Sequence, residues 1–256
     1  MSVMKFVLTL TLAWLGSFAL HAQNPPVNPA PAAAEKKAPH SLRLLCVEAA
    51  AKASQLVVAE KTDDGWMARW RLSVSSAYLT DPLGLATRNI ALAIDPTPPA
   101  PNGGFNGPAV LIKEPFLVKP ITEFELPATD TATAILVPNP ADQASPYRVI
   151  VIDSQQQRFG AGKILVQNFT THTVAGLFGG KSAKLASGQS SIIEPGVDQE
   201  ADMAQITLAK QVGDQWEPFC DTRWPGKVDY RRYLLLIPRG DGSIHPFVMP
   251  EYPPFR

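Results

Sequence analysis

The chain has 256 residues and carries 23 basic and 23 acidic side chains, which gives it a formal net charge of zero. Nucleic-acid phosphates require a basic face, so this balance excludes nucleic acid as a partner, and it gives no sign of an electrostatic membrane module. The length is that of two small domains with a short leader.

An apolar run from Phe6 to Leu20 follows Lys5 at the N-terminus. The run is too short and too weakly flanked for a permanent membrane anchor, and small residues follow it. We therefore predict a secretory signal peptide over residues 1–22, with cleavage after Ala22 or, as a second candidate, after Ala19. An uncleaved signal anchor is the alternative. No later apolar stretch could span a bilayer, so we expect an exported mature chain, periplasmic or extracellular, without an integral membrane segment.

Residues 23–40 consist mainly of proline, alanine, asparagine and lysine. A segment of this composition cannot bury enough apolar surface to fold, so we predict a disordered tether. The folded part is then expected to begin near Ser41 and to divide into a first domain at residues 41–155 and a second at 156–256.

A weak internal repeat supports this division. Residues 135–138 (Ile-Leu-Val-Pro) recur at 235–238 (Leu-Leu-Ile-Pro), and residues 146–149 (Pro-Tyr-Arg-Val) recur at 246–249 (Pro-Phe-Val-Met). Both parts of the pattern have the same offset of 100 residues, which is about the size of one small domain. The repeat predicts two related units that end in the same kind of hairpin.

Short strands separated by turn residues account for the folded part. Asp64-Gly65 and Gly179-Gly180 stand between apolar runs, where a tight hairpin needs positive φ. The run Tyr147–Ile152 is apolar on both faces, as a strand covered on each side would be. Eight strands at close spacing in the second half predict an all-β fold of two tandem immunoglobulin-like, Greek-key β-sandwiches, with a barrel as the competitor.

One long loop interrupts the first domain. Residues 95–108 contain eight prolines and glycines, which exclude both a helix and the interior of a sheet. Loops and edge strands are the usual contact surfaces of sandwich proteins, so we regard this loop as the first candidate for an interaction element.

The segment Arg158–Ile193 contains a strand that ends in Asn168, a Gly-Gly-Lys hairpin at residues 179–181 and a Leu-Ala-Ser-Gly turn at residues 185–188. With Thr222-Arg223-Trp224 and the strand at 233–238, it resembles a family of uncharacterised exported bacterial proteins with two immunoglobulin-like β-sandwich domains. The resemblance covers most of residues 130–250. It implies a fold and export, and it transfers no functional residues.

Three short motifs match known patterns but sit where turns are expected. Residues 175–182 fit the loose phosphate-loop pattern, yet no long helix follows them, so a hairpin turn is the better interpretation. Arg239-Gly240-Asp241 matches an adhesion tripeptide and has the composition of a turn. Asn168-Phe169-Thr170 fits the N-glycosylation pattern at a strand end.

Catalytic and metal-binding patterns are absent from the sequence. The mature chain would keep His40, His172 and His245, without a His-Glu-x-x-His, Cys-x-x-Cys or Gly-x-Ser-x-Gly motif. We therefore predict no enzyme activity and no catalytic, cofactor-binding or metal-binding residue. Cys46 and Cys220, one in each half, either form a bridge in an oxidising compartment or act as small apolar filler.

Four tryptophans, Trp66, Trp70, Trp216 and Trp224, are predicted to lie on hairpin strands. Strict alternation would place Trp66 and Trp70 on one face, and Trp216 on the inward face of Cys220. Exposed together they would make a platform for sugar rings, but strand tryptophans usually fill the core.

We conclude from the sequence that the chain is an exported, non-catalytic protein with a binding or structural role at the cell envelope. A protein or a surface polymer is the expected partner, by analogy with other sandwich proteins. Two alternatives remain open: a carbohydrate-binding module that uses the strand tryptophans, and a hydrolase whose site has no recognisable motif.

Overall fold

The computed structural model describes residues 38–47, 56–72, 78–96, 109–139, 142, 144–198, 200 and 202–254. All the regular secondary-structure elements in these residues are β-strands. The predicted signal peptide, nearly all of the predicted tether and residues 97–108 of the predicted loop lie outside these ranges. The strands are β1 (His40–Cys46), β2 (Leu56–Thr62), β3 (Gly65–Leu72), β4 (Tyr78–Leu79), β5 (Leu83–Leu85), β6 (Asn89–Ile94), β7 (Val110–Leu111), β8 (Pro120–Glu125), β9 (Thr131–Pro138), β10 (Tyr147–Asp153), β11 (Ile164–Asn168), β12 (Val174–Phe178), β13 (Lys181–Leu185), β14 (Ser190–Ile193), β15 (Met203–Val212), β16 (Gln215–Pro225), β17 (Arg231–Pro238) and β18 (Ile244–Glu251).

The strands form four sheets. Sheet I has the order β7-β3-β2-β6-β8, and sheet II has the order β10-β9-β1-β4 with β5 also paired to β1. Sheet III has the order β14-β11-β17-β18, and sheet IV the order β13-β12-β15-β16. All strands up to Asp153 belong to sheets I and II, and all strands from Ile164 belong to sheets III and IV. The eight strands predicted for the second half are all present.

The sheets stack in the order I, II, III, IV around three apolar cores. Alternation along β1 sends Leu42 and Leu44 into the core between sheets I and II, and Leu45 into the core between sheets II and III. Along β17, Leu234 faces the core between sheets III and IV, while Leu235 faces sheet II. The sheets therefore pack as sandwiches rather than as a barrel, and the described residues form one compact unit.

Sheets II and III are each covered on both faces, which explains their apolar sequences. Strand β10 sends Val149 and Val151 towards sheet I, and Ile150 and Ile152 towards sheet III. The two-sided apolar pattern of this segment thus has the cause inferred from the sequence, namely cover on each side.

The two halves share one strand order. The path β4-β1-β9-β10 of sheet II corresponds to β14-β11-β17-β18 of sheet III, and β3-β2-β6-β8 of sheet I to β13-β12-β15-β16 of sheet IV. In both halves the first strand runs parallel to the last strand but one, β1 to β9 and β11 to β17. Residues 135–138 and 235–238, the first part of the sequence repeat, close the equivalent strands β9 and β17.

The second part of the repeat is displaced. Tyr147 pairs with Pro138 in the first half, but Ile244, not Phe247, pairs with the equivalent Pro238. The shift is three residues because the β17–β18 connection is shorter than the β9–β10 connection. An odd shift reverses the face of a strand residue, so Tyr147 lies between sheets I and II whereas Phe247 lies between sheets II and III.

A bulge recurs at the same place in both halves. The pairing of β6 with β8 slips between Leu92 and Ala93, opposite Pro120 and Thr122. The pairing of β15 with β16 slips between Leu208 and Ala209, opposite Pro218 and Cys220. In each case a proline, which has no N–H to donate, stands on an edge strand next to the extra residue. In the sequence, both bulges lie opposite an Ile-x-Leu-Ala run, at residues 90–93 and 206–209, and these two runs are a further internal repeat.

The outer faces of the stack differ. Ile112, Phe116 and Val118 pack on Val57 and Ala68 and cover the outer face of sheet I. In sheet IV the outward residues of β12, β13 and β16 are exposed, among them Leu177. No helix in the part of the chain that the structure describes has the length and apolarity needed to cross a membrane.

Candidate binding site

A buried ion pair lies at one end of the core between sheets II and III. Arg231 begins β17 and is 1% exposed, and Glu251 ends β18 and is 3% exposed. Arg231 Nε donates to Glu251 Oε2 at 2.6 Å and Arg231 Nη2 donates to Glu251 Oε1 at 2.8 Å. The guanidinium therefore binds both carboxylate oxygens in a bidentate pair. Arg231 Nη1 donates to the carbonyl oxygens of Ser154 at 2.8 Å and Phe159 at 2.6 Å. The pair thus ties sheet III to the segment that connects the halves.

Sheet II contributes to the same carboxylate. Arg43 Nη1, from β1, donates to Glu251 Oε1 at 2.8 Å, and the Tyr233 hydroxyl donates to Glu251 Oε2 at 2.7 Å. Burial raises the pKa of Tyr233, so the hydroxyl stays protonated and remains a donor. Thr133 Oγ1 lies 3.2 Å from the Tyr233 hydroxyl oxygen. Thr133 and Tyr233 occupy equivalent positions on β9 and β17, so the two halves meet at matching residues.

A cleft of about 1220 Å³ opens beside this cluster. It is lined by the start of β1, the turn between β4 and β5, the start of β9 and the residues after β18. Because β1 runs parallel to β9, Ser41 and Thr131 are direct neighbours in the wall. Tyr252 comes from the second half, so both halves form the cleft. Ligand sites occur preferentially at such junctions.

The wall of the cleft contains unsatisfied polar groups. Among the described residues, four buried side-chain atoms have no hydrogen-bond partner: His40 Nδ1, Ser41 Oγ, Arg43 Nε and Thr131 Oγ1. All four belong to residues that line this cleft. Buried polar groups in proteins are nearly always paired, so a concentration of unpaired ones at a single cavity points to water or a ligand. This coincidence makes the cleft the strongest candidate site.

A second groove, of about 740 Å³, lies between β10 and β14. Three of its charged groups, Asp153, Arg158 and Lys163, already have partners. Arg158 Nη1 lies 3.5 Å from Asp153 Oδ2, and Lys163 Nζ donates to the carbonyl oxygens of Gln157 and Arg158. The groove therefore offers less unsatisfied hydrogen-bonding capacity than the cleft at His40.

The three histidines do not come together. His40 lines the cleft, whereas His172 lies in the connection from β11 to β12 and His245 lies on β18. Within the described ranges no group of three or more His, Cys, Asp and Glu side chains could hold a metal ion.

The two cysteines are not bridged to each other and lie in different cores. Cys46 lies between sheets I and II, and Cys220 packs against the core between sheets III and IV. The central core separates them, so a bridge does not form. Burial, with a smaller contribution from the charge of Asp221, raises the pKa of the Cys220 thiol.

The tryptophans do not form a shared platform, and two of the alternation predictions are wrong. A bulge opposite Val58 and Ala59 turns Trp70 into the core between sheets I and II, while Trp66 packs on the outer side of sheet I. The bulge in β16 likewise leaves Trp216 42% exposed although Cys220 points inward. Trp224 packs against the core between sheets III and IV.

The phosphate-loop and adhesion matches are both turns. Gly179 and Gly180, each with positive φ, form the turn between β12 and β13, and Lys181 begins a strand rather than a helix. The Asp241 carboxylate accepts hydrogen bonds from the side chain and the backbone N–H of Ser243. These bonds lower the pKa of Asp241 and hold the turn closed.

The glycosylation match falls on a structural asparagine. Asn168 is 0% exposed, and its Nδ2 donates to the carbonyl oxygens of His172, Leu185 and Ala186. Its Oδ1 accepts from the N–H and the hydroxyl of Thr170. The side chain is therefore closed to modification in the folded chain.

We expect Asn168→Ala to lower the free energy of unfolding by about 2–3 kcal/mol, because three carbonyl oxygens each lose one hydrogen bond and the buried N–H and hydroxyl of Thr170 lose the acceptor Oδ1. Urea denaturation of the purified chain measures this change. Asn89→Ala, at an exposed position, is the matched control and should change stability by less than about 0.5 kcal/mol. Equal effects of the two substitutions would contradict the role assigned to Asn168.

The predicted interaction loop can be described only at its start. Asp95 is buried and accepts a hydrogen bond from Arg71 Nε, and residues 97–108 lie outside the described ranges.

Arg231, Glu251 and the cleft were not predicted from the sequence. The available signal was the pair of arginines, Arg231 and Arg232, directly before the apolar run 233–237 of the same strand. Comparison with protein-family models gave no match, and comparison with curated proteins also gave none.

Proposed function

We propose that this chain is an exported, non-catalytic binding protein of the cell envelope. In this proposal residues 1–22 are a cleaved signal peptide, residues 23–40 a tether, and residues 41–155 and 156–256 two tandem immunoglobulin-like β-sandwiches. The apolar N-terminal run and the Pro/Ala-rich segment after it support export. The common strand order of the two halves supports the tandem arrangement.

One observation carries the binding role: four buried, unpaired polar atoms belong to residues that line a single cleft at the junction of the halves. The junction itself is held by a large apolar core and by the cluster around Glu251. A binding site built on sheets that are packed together in this way is preorganised, which lowers the entropic cost of holding a partner.

Export has a direct test. We expect the full chain, produced in a Gram-negative host, to be recovered outside the inner membrane with Gln23, or Leu20, as its first residue. Intact mass measurement of the fractionated protein reads this out. Leu12→Arg places a charge in the apolar run and is expected to keep the chain in the cytoplasm. Recovery of chain that retains Met1 from the cytoplasm in both cases would contradict the proposal.

A hydrolase is the second candidate, because His40, Asp81 and Asp130 line the same cleft. Hydrolysis would need an acid and a base that converge on one bond. The purified chain is to be incubated with p-nitrophenyl acetate and with p-nitrophenyl glycosides, beside His40→Ala. We expect no release of nitrophenol above the background. Release that disappears in His40→Ala would establish the hydrolase instead.

A further inference from the structure

We propose that the cleft binds a neutral, polyhydroxylated ligand of the saccharide class, with the ring of Tyr252 against one face of a sugar. This inference rests on the proposed binding role and names its ligand. The ligand class follows from the hydrogen-bonding groups, the charges, the aromatic wall and the size of the cleft.

The unpaired groups call for a ligand that both donates and accepts hydrogen bonds. Arg43 Nε can only donate, whereas the hydroxyls of Ser41 and Thr131 can do either, and the imidazole nitrogen of His40 depends on its tautomer. A sugar hydroxyl has one donor hydrogen and two acceptor lone pairs, so a few adjacent hydroxyls can pair with such a mixed set. A phosphate or carboxylate only accepts, so it would pair with donors and leave the acceptor lone pairs of the two hydroxyls unused.

The charges of the cleft do not favour an anion. The guanidinium of Arg43 already faces the carboxylate of Glu251 at 2.8 Å. Asp81 and Asp130 line the cleft and add negative charge at exposed positions. Among the described residues that line the cleft, an anionic ligand would therefore meet repulsion from two carboxylates and find no cation without a carboxylate partner to offset it.

Tyr252 supplies an aromatic wall. Its side chain is 61% exposed, and its ring packs against Tyr230 with 5.0 Å between the ring centroids. Tyr230 therefore covers only part of the ring, and the exposed Tyr252 lines the cleft. An aromatic ring with a free face offers apolar surface to the C–H groups of a sugar, while its hydroxyl stays in water.

The volume indicates more than one sugar unit. At about 1220 Å³ the cleft is slightly larger than the range of about 300–1000 Å³ that is typical of small-molecule sites. We therefore expect the cleft to accommodate an oligosaccharide and choose trisaccharides as probes.

The test is a titration of the mature full-length chain with maltotriose, cellotriose and chitotriose, followed by saturation-transfer NMR and calorimetry. Trigalacturonate serves as the anionic probe. We expect at least one neutral trisaccharide to bind below about 10 mM, and trigalacturonate to bind more weakly. Absence of binding by all three neutral probes, or preference for the anionic probe, overturns the inference.

Variants locate the site. Tyr252→Ala removes an exposed ring and should weaken binding about tenfold. Ser41→Ala removes an unpaired buried hydroxyl, so it should weaken binding without lowering the melting temperature. Trp216→Ala, on the outer face of sheet IV, is the matched aromatic control and should leave affinity unchanged. Loss of binding in Trp216→Ala alone would assign the sugar to sheet IV and overturn the cleft.

Failure of the ligand class is distinguishable from failure of the proposed function. If the chain is exported but binds no trisaccharide, only the saccharide assignment is overturned. If the chain binds a trisaccharide in the cleft but stays in the cytoplasm with its N-terminal residues, the proposed export is overturned and the ligand assignment stands.

Discussion

Replacing Glu251 by alanine is expected to lower the free energy of unfolding by about 3–5 kcal/mol, the largest effect of any single side chain considered. The carboxylate accepts hydrogen bonds from Arg231, Arg43 and Tyr233 in the core between sheets II and III. Its removal takes from the nearly fully buried guanidinium of Arg231 the carboxylate that binds both Nε and Nη2, so the desolvation of that guanidinium is less fully offset. Urea denaturation of the full chain measures the change.

A matched control is available on the surface. Arg88 Nη2 and Glu125 Oε1 lie 3.0 Å apart, with Glu125 largely in water and Arg88 partly exposed. Exposed pairs contribute little, so Glu125→Ala should cost less than about 1 kcal/mol. A loss of similar size for the two variants would show that the buried cluster does not hold sheets II and III together.

Replacing Gly179 by alanine is expected to lower the free energy of unfolding by at least about 3 kcal/mol, because the turn of the β12–β13 hairpin is in direct contact with another backbone segment. A Cβ atom at this position would be 1.6 Å from the carbonyl oxygen of Gly196, and φ of Gly179 is +56°. The two segments are joined by a hydrogen bond from the Gly196 N–H to the Phe178 carbonyl oxygen at 3.1 Å. An added methyl group must separate them.

The neighbouring glycine separates the clash from the backbone strain. Gly180 has φ of +87°, but a Cβ atom there would meet no atom within 4 Å. Gly180→Ala should therefore lower the free energy of unfolding by only about 1–2 kcal/mol, which is the cost of placing alanine in the left-handed backbone conformation. The difference between the two variants in thermal or urea unfolding measures the close approach. If Gly180→Ala is as damaging as Gly179→Ala, the contact with Gly196 is not the cause.

Local patterns predicted the strands well, because alternation and turn residues act within one segment. The Asp64-Gly65 and Gly179-Gly180 turns and the two-sided apolar run at 147–152 are all in the places that their sequences indicate. Each of these features depends on residues that are adjacent in the chain.

Features that depend on the partner strand were not predictable in the same way. The bulges at Arg69 and Phe219 arise in the pairing of two strands, and each one reverses the face of every residue beyond it. For this reason strict alternation placed Trp70 and Trp216 on the wrong faces. The second part of the sequence repeat failed for a related reason, since a shorter hairpin connection moved the register by three residues.

The cleft could not be predicted from the sequence because its residues come from four distant segments. His40, Asp81, Asp130 and Tyr252 become neighbours only through the parallel pairing of β1 with β9 and the packing of sheet II on sheet III. Unpaired polar atoms, moreover, are a property of the assembled wall and of no single residue type.

The meeting of Thr133 with Tyr233 has a consequence for a divided chain. Matching residues that touch each other are the mark of a self-complementary contact between two copies of one fold. The connection between β10 and β11 makes this contact intramolecular. A cut there would leave each fragment with a bare apolar sheet, and their association would become a bimolecular equilibrium that weakens on dilution.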